Sequence, residues 1–324
     1  MLKIVDKKSF IDKAERKLKD ALAPFSDRNE EILIGGPNWH NTREAHWSEE
    51  LRIWWANYKL ENRYENAFGV TEPHWGSGYG HALSCVIDIP FSGINRRIGG
   101  AFATEGKELF LLHRGRIGGG RKEIGKTLFM HNYRGNFIVA QDGDLYSTVA
   151  LVGAMDSEKF PIQLANFVHE LQRVKDYRTG RDQPYQAPLP DDFFKEEFTG
   201  TKEYSVGQVK AECDHGLVVS GLVRLLESEG HEVANRRPFD LFIYDEEGIN
   251  SLFEIKTDST TTACYTAIGQ LLVYSAGMQK KPSLFAVFPE RLDERIRPAF
   301  AEIGIQLVLY NWDRDKLVFD NFPP

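Results

Sequence analysis

The chain is poor in cysteine and has no long hydrophobic run. Its three cysteines (Cys85, Cys213 and Cys264) are far apart and form no CxxC pair, which argues against a disulfide framework or a cysteine-based zinc site. No apolar stretch approaches the roughly 20 residues that span a bilayer, and the first residues lack the apolar core of a secretory signal. We therefore expect a protein of the reducing cytoplasm that does not engage a membrane.

A strong excess of charge is also missing, although the charge is unevenly distributed. The net charge is −7; the first 178 residues carry 25 Lys and Arg against 23 Asp and Glu, and the remainder carries 15 against 24. An acidic chain is not an obvious nucleic-acid binder. Residues 96–134 nevertheless contain nine Lys or Arg and only three Glu. This local excess of positive charge suits contact with a phosphate backbone.

Length and composition predict two folded domains. With 324 residues, 42% hydrophobic and 27% charged, the chain has an ordinary globular composition and about twice the length of one domain. Residues 179–203 contain three prolines and two glycines and cannot sustain a long helix or a central strand. The sequence therefore predicts an N-terminal domain of residues 1–178, a linker of 179–203 and a C-terminal domain of 204–324.

The N-terminal domain is predicted to be a β-rich α+β domain with a partly open sheet. Helical spacing of apolar residues predicts an opening helix around Phe10–Leu22, a helix containing Trp54, Trp55 and Tyr58, and a closing helix over Pro161–Val174. Short β-like runs lie between Gly-rich turns. These runs are Leu83–Ile89, Leu109–His113, Thr127–His131, Phe137–Ala140 and Leu145–Val152.

The C-terminal domain has a clearer pattern and is predicted to be an α/β layer of order αβββαβαβ. A long helix is expected first, ending at Gly230, followed by a hairpin that turns at residues 245–248. The predicted elements, in chain order, are Val206–Glu229, His231–Asn235, Phe239–Tyr244, Ser251–Lys256, Thr262–Met278, Leu284–Phe288, Leu292–Ile303 and Gln306–Tyr310.

Several residues with side chains suited to catalysis lie on these predicted strands and on the helix that follows them. Asp240 begins one hairpin strand, Glu254 and Lys256 end the other, and Gln270 and Tyr274 lie one turn apart on the following helix. Strand residues two apart share a face, and paired strands bring side chains within about 5 Å of each other. Two carboxylates beside a lysine suit a hard cation such as Mg²⁺ and the stabilisation of charge on a phosphate.

This pattern resembles the PD-(D/E)XK nuclease superfamily, over about residues 204–312. Phe239-Asp240, a 13-residue gap and Glu254-Ile255-Lys256 match its signature, and Gln270 with Tyr274 is similar to the Gln-x-x-x-Tyr element of RecB-type and Cas4-type nucleases. The proline that usually precedes the first acid is displaced by one position, to Pro238. The resemblance implies a restriction-endonuclease-like αβββαβ core, a mixed sheet flanked by helices.

The resemblance also implies roles for individual residues. Asp240, Glu254 and the backbone carbonyl of Ile255 would bind Mg²⁺, for which Mn²⁺ would substitute, and Lys256 would act at the attacking water. The family often adds an acidic residue or a histidine from the preceding helix. Here Glu212 is the favoured metal ligand, with Asp214 and His215 as weaker candidates; helical spacing directs His215 inward.

The basic segment contains a match to a nucleotide-binding motif that we interpret differently. Residues 120–127 read GxxxxGKT, but a phosphate-binding loop requires a long helix directly afterwards, and the next residues are too short and too Gly-rich for one. We expect no nucleotide cofactor. The favoured interpretation is a basic loop that contacts the DNA backbone, and a solvated turn is the alternative. The candidate nucleic-acid-binding residues are Arg114, Arg116, Arg121, Lys122 and Lys126.

Five of the six tryptophans lie between Trp39 and Trp75. Aromatic side chains can stack on an extruded base, but a hydrophobic core is the favoured interpretation. His40 and His46 in the same stretch do not form a convincing metal motif.

The function expected from the sequence is Mg²⁺-dependent hydrolysis of phosphodiester bonds in double-stranded DNA. A restriction or defence endonuclease fits best, with the N-terminal domain as its recognition module. Cutting both strands at a defined position calls for a homodimer. Alternatives are a repair or recombination exonuclease, a ligand-activated defence nuclease, and a catalytically inactive nucleic-acid-binding protein.

Overall fold

The computed structural model describes residues 1–36, 39–76, 80–117, 125–177, 206–236, 238–313 and 316–320. The predicted linker at 179–203 lies outside the described residues. Two compact units are present. The described residues of the N-terminal unit extend to residue 177 and include 206–213, and those of the C-terminal unit begin at Asp214. The long helix that starts at Val206 is thus divided between the units.

The N-terminal unit contains a six-stranded sheet. Its strands are β2 (Arg28–Gly36), β3 (Trp39–Ser48), β4 (Ile53–Lys59), β5 (Arg63–Gly69), β6 (Gly80–His81) and β7 (Cys85–Pro90), in the spatial order β6-β2-β3-β4-β5-β7. All neighbours are antiparallel except β6, which pairs in parallel with β2. The long β2–β3 hairpin was not predicted from the sequence, because charged residues interrupt its apolar alternation.

The same unit contains a closed barrel of five strands, where the sequence predicted a partly open sheet. The barrel strands are β1 (Lys3–Ile4), β8 (Gly100–Glu105), β9 (Glu108–His113), β10 (Phe137–Asp142) and β11 (Leu145–Ala154), in the order β1-β10-β11-β9-β8. The short β1 closes the barrel, since it pairs with both β8 and β10. Its two residues are too few to give a strand signal in the sequence.

Three helices and a short 3₁₀ turn complete the described N-terminal region. They are α1 (Lys8–Leu22), the 3₁₀ turn Ala23–Phe25, α2 (Lys126–Asn132) and α3 (Phe160–Tyr177). The apolar faces of α1 and α3 pack with the sheet in one core that includes Ile11, Leu18, Trp55, Phe68 and Phe167. The opening and closing helices predicted from the sequence are therefore confirmed.

The helix predicted around Trp54 and Tyr58 is wrong. These residues belong to β4, in which Trp55 packs against the α1 and α3 core while Trp54 packs on the opposite face with Trp47. Because both faces of the sheet are covered, the strand reads as a continuous apolar run and its alternation is hidden. The core interpretation of the tryptophans is confirmed for Trp47, Trp54 and Trp55, all of which are buried.

The strand predicted over Thr127–His131 is also wrong, because this segment lies in α2. A short apolar run does not distinguish a strand from a buried helical turn. Phe129 is fully buried and packs edge-to-face on Phe137 and Phe167, and these tertiary contacts favour the helix.

The C-terminal unit follows the predicted order and adds one strand. Its elements are α4 (Val206–Ser228), β12 (Val233–Arg236), β13 (Phe239–Asp245), β14 (Gly248–Ile255), α5 (Thr261–Ala276), β15 (Ser283–Pro289), α6 (Arg297–Glu302), β16 (Ile305–Asp313) and β17 (Lys316–Asp320). Of α4, the part from Asp214 onward belongs to this unit. The predicted helix over Leu292–Ile303 is shorter, since Pro298 lies in its first turn and favours a start there.

These strands form one mixed sheet of order β12-β13-β14-β15-β16-β17. The β13–β14 hairpin is antiparallel, and β14, β15 and β16 are mutually parallel. Val218, Leu222 and Leu226 of α4 pack on one face of the sheet, and α5 with Phe300 of α6 packs on the other. The result is an α/β arrangement with helices on both faces of the sheet.

Within the part of the chain that the structure describes, no helix combines the length and the apolar character needed to cross a membrane.

Candidate active site

The β13–β14 hairpin brings Asp240 next to the end of β14. Leu241 pairs with Phe253 across the hairpin, so the residues that follow Phe253 lie beside Asp240. The Asp240 carboxylate accepts a hydrogen bond at Oδ2 from the backbone N–H of Ile255, at 2.8 Å. Glu254, between Phe253 and Ile255, is 3% exposed. The two carboxylates predicted from the sequence therefore belong to one locus.

Lys256 connects the hairpin to the following helix. Its Nζ donates to Glu254 Oε1 at 2.6 Å and to Gln270 Oε1 at 2.8 Å, and only 18% of its side chain is exposed. An ammonium group offers three donors, so these two contacts fix its direction while it neutralises a buried carboxylate. The predicted association of Glu254, Lys256 and Gln270 is present in the structure.

Helix α5 places Gln270 and Tyr274 on its inner side. The helix begins after Thr260, whose side-chain oxygen accepts from the N–H of Ala263 at 3.2 Å and caps the first turn. Gln270 and Tyr274 are one turn apart, and Gln270 Nε2 donates to the Tyr274 hydroxyl at 3.4 Å. The Tyr274 ring is buried and packs edge-to-face on Phe239, with 5.6 Å between centroids. A continuous chain of contacts thus links Tyr274 through Gln270 to Lys256.

His215 of α4 lies at the same locus. Its Nε2 is 3.5 Å from Asp240 Oδ1, and its side chain is 9% exposed. The inward direction predicted from its helical spacing is confirmed. Sequence reasoning ranked Glu212 ahead of His215, whereas the contact with Asp240 belongs to His215.

Electrostatics keeps Asp240 ionised. Burial would raise the pKa of its carboxyl group, but the pKa is lowered overall by the neighbouring imidazole of His215, by the ammonium of Lys256 and by the N–H of Ile255. A carboxylate that remains charged at neutral pH in this half-buried position is ready to bind a cation.

Tyr310 of β16 is a residue that sequence reasoning missed. Its hydroxyl donates to the backbone carbonyl of Lys256 at 3.2 Å, and the N–H of Lys256 donates to the carbonyl of Val287 at 2.9 Å. These two bonds hold the backbone from which the lysine projects. The contact joins residues 54 positions apart, and no local motif in the sequence indicates it.

The donor set at this locus suits a hard cation. The carboxylates of Asp240 and Glu254 and the carbonyl of Ile255 are oxygen donors, and Mg²⁺ typically takes one or two carboxylates while keeping several waters. No group of three or more His, Cys, Asp and Glu with metal-site geometry occurs among the described residues. Magnesium does not require such a group, so the residues present fit it.

Glu212, the other predicted metal ligand, lies in the N-terminal unit. Its Oε2 accepts a hydrogen bond from Asn136 Nδ2, while its neighbours Val209 and Cys213 pack in the core of the barrel strands. This part of α4 is therefore engaged with the barrel.

The predicted nucleic-acid-binding residues occupy different environments. Arg114 is 6% exposed and donates from Nη2 to Asp142 Oδ1 at 3.0 Å and from Nη1 to the carbonyl of Gly100 at 2.8 Å; its guanidinium therefore serves the barrel. Arg116 and Lys126 are exposed. Partial burial and the nearby charges of Arg116 and Arg114 lower the pKa of Lys126, so these cations are neighbours.

Arg121 and Lys122 lie outside the described residues, as does most of the GxxxxGKT match. The helix that follows it, α2, has seven residues, about two turns.

The side chains at the end of β14 are suited to binding a cation next to an anionic substrate. Two carboxylates converge beside an ammonium whose direction is fixed by an amide, and this suits cation binding next to an anionic substrate. Comparison of the chain with family models, with curated proteins and with solved structures finds no match to any of them.

Proposed function

We propose that the C-terminal unit is a Mg²⁺-dependent nuclease of the PD-(D/E)XK type with a restriction-endonuclease-like core. The observation that carries the proposal is the set of contacts made by Lys256, which joins Glu254 of the hairpin to Gln270 of α5. Asp240 lies at the same end of the hairpin, where its carboxylate accepts a hydrogen bond from the N–H of Ile255. A solvated salt bridge, the ordinary origin of a Glu-x-Lys pattern, would not bury Glu254 to 3% exposure.

The roles follow from the chemistry of the groups. Asp240, Glu254 and the Ile255 carbonyl would hold Mg²⁺, or Mn²⁺ in its place, and His215 would orient Asp240 or join the ligand set. Bound there, the ion would supply Lewis-acid polarisation of a phosphate and a lower pKa for a water molecule. Lys256, kept in direction by Gln270 and Tyr274, would stabilise negative charge that develops on the phosphate.

The proposed substrate is double-stranded DNA, and a restriction or defence endonuclease is the role that best suits a core of this kind joined to a separate β-rich unit. The exposed neighbours Arg116 and Lys126 support contact of the N-terminal unit with the phosphate backbone. We infer a homodimer as the form that cuts both strands, and no nucleotide cofactor. A reducing cytoplasm suits the three cysteines, which are free and buried.

A second candidate is a DNA exonuclease of repair or recombination. The contact between Gln270 and Tyr274 favours it, because this pair is the element similar to the RecB-type and Cas4-type branch. An exonuclease needs a free DNA end, whereas an endonuclease does not.

One assay separates these candidates. The full chain is incubated with Mg²⁺ and with covalently closed circular DNA, the same DNA made linear, and single-stranded RNA. Discrete bands from the circle support the endonuclease, whereas loss of only the linear form supports the exonuclease. The Glu254→Gln variant should be inactive on every substrate, and Glu246→Gln, at an exposed turn position, is the matched control. Equal cleavage by wild type and Glu254→Gln would contradict the proposed site.

A further inference from the structure

The outer face of α5 is unusually apolar for a helix surface in contact with water. No residue of this 16-residue helix is charged. Tyr265 is 72% exposed, Val273 56% and Leu272 41%, and these are three of the eight large hydrophobic side chains that are exposed among the described residues. Amphipathic helices ordinarily place charged residues on such a face.

The residues of this face are arranged symmetrically about Gly269. Tyr265 and Val273 lie four positions to either side of it, Thr266 and Leu272 three, and Thr262 and Ala276 seven, and all of them are exposed. A Cβ atom at Gly269 would meet nothing within 4 Å, so packing within the chain does not require glycine there. Glycine inside a helix is less stable than alanine, and the close approach of a second helix at this position would explain why glycine is present.

We propose that this face, residues 262–276 of α5, binds the same face of a second copy of the chain, with the two helices antiparallel and crossing at Gly269. A two-fold axis at this position brings residue i of one helix against residue 538 − i of the other, so Tyr265 meets Val273 of the second copy. The apolar side chains then cover one another, and the small residues allow the two backbones to approach.

The charges beside the helix favour an antiparallel pair of identical chains. Asp258 lies before the helix, eleven positions before Gly269, and Lys280 lies after the helix, eleven positions after Gly269. The proposed axis brings the acidic end of each helix to the basic end of the other, which also opposes the two helix dipoles favourably. Lys280 now pairs with Glu247 at 3.1 Å, but both side chains are largely exposed, and such a pair contributes little. A parallel pair would instead bring like charges together.

This inference is independent of the proposed nuclease function, because it uses only the outer face of α5. A helix of 16 residues is about 24 Å long, and a single helix pair of that length lies at the low end of interface sizes. We therefore expect an association that depends on concentration, with a Kd on the order of micromolar.

Sedimentation of the full chain between about 0.1 and 100 µM, a range that brackets this Kd, is the first test. The wild type should shift from monomer to dimer. Val273→Lys places two like charges in the interface and should raise the Kd by about 100-fold or more. Val318→Lys, the same change at a position 40% exposed on β17, should leave the dimer intact, and thermal unfolding of both variants verifies that they fold. A monomer throughout, or a dimer equally stable in Val273→Lys, overturns the proposal.

Cross-linking tests the register. Tyr265→Cys and Val273→Cys are prepared separately and treated with a short bifunctional maleimide, to which the buried native cysteines are poorly accessible. Only the mixture of the two variants should cross-link efficiently. Cross-linking within either variant alone, or none in the mixture, overturns the antiparallel register. Protection of α5 from hydrogen exchange that appears only when duplex DNA is added, and not when the protein concentration is raised, would also overturn the proposal.

Discussion

Each unit of the molecule contains a buried group of charged side chains, and the two groups differ in how their charges are matched. In the N-terminal unit the guanidinium of Arg114 binds Asp142, whose carboxylate also accepts from the Ser147 hydroxyl at 2.9 Å and faces Arg96. In the C-terminal unit the ammonium of Lys256 pairs with Glu254 and lies near enough to Asp240 to lower its pKa, and the imidazole of His215 lies 3.5 Å from Asp240 Oδ1.

This difference separates a structural role from a chemical one. The single carboxylate at Asp142 has cations and hydrogen-bond donors around it, an arrangement that suits a fixed contact within the barrel. The C-terminal group assembles two carboxylates close together at the end of a strand, where like charges would repel without a cation. Under the proposed function, this arrangement is kept because it binds an ion there.

The largest expected effect is on catalysis. Asp240→Asn, Glu254→Gln and Lys256→Ala should each lower DNA cleavage by about 10³-fold or more, since each removes part of one assembly that acts as a unit. Removal of divalent ions with EDTA should do the same, and Mn²⁺ should restore activity. The readout is the rate of conversion of circular DNA.

Binding and stability provide the control for this prediction. DNA binding by the three variants should persist, and Asp320→Asn, at an exposed strand end, should cut normally. If an inactive variant also unfolds at a lower temperature, lost activity would report lost structure, and the contrast between the two groups would disappear.

The next largest effect is on stability, and it concerns the N-terminal group. Arg114→Ala leaves the Asp142 carboxylate without its principal partner in a buried position and should destabilise the unit by about 3–5 kcal/mol. Urea unfolding followed by tryptophan fluorescence measures this, because most tryptophans lie in this unit. Arg97→Ala, at an exposed position, should change stability by less than about 0.5 kcal/mol. A change at Arg114 no larger than that at Arg97 would refute its structural role.

How much of the fold and of the candidate site could be predicted from the sequence depends on how far apart along the chain the contacting residues are. The β13–β14 hairpin and α5 are close in sequence and follow their own periodicity, so the meeting of Glu254, Lys256 and Gln270 was predictable. The Tyr310 contact and the closure of the barrel by β1 depend on pairing between distant segments, which local pattern does not encode. At Trp54 and Trp55, burial on both faces of the sheet removed the alternation that identifies a strand.

The buried carboxyl group of Glu15 in α1 allows a prediction about pH. It is 2% exposed; its Oε2 accepts from Asn66 Nδ2 at 3.2 Å, and its Oε1 has no hydrogen-bond partner among the described residues. Burial raises the pKa of Glu15 to about 7. The folded chain therefore keeps this proton at pH values where the unfolded chain, with an ordinary pKa of 4.5, has already released it.

The stability of the N-terminal unit should accordingly fall as the pH rises from 4.5 to 7, by on the order of 3 kcal/mol from this group. Glu15→Gln removes the ionisation and should flatten the profile in this window, whereas Glu50→Gln, at an exposed position, should not. Unfolding free energies at several pH values test this. Parallel profiles for wild type and Glu15→Gln would mean that the carboxylate is solvated or paired.

The smallest expected effect concerns the exposed cations near the barrel. Arg116 and Lys126 are neighbours on the surface of the N-terminal unit, whereas Arg114 two positions earlier is buried in its ion pair. If the exposed pair contacts DNA phosphates, replacing both by alanine should weaken binding to every sequence alike. The slope of log K against log salt should become shallower by about two units, because two fewer counterions are released. Titrations of duplex DNA at several salt concentrations measure the slope, with Arg52→Ala plus Arg97→Ala, two exposed arginines, as a charge-matched control. An unchanged slope in the Arg116 and Lys126 variant would remove the DNA-binding role from these two exposed cations.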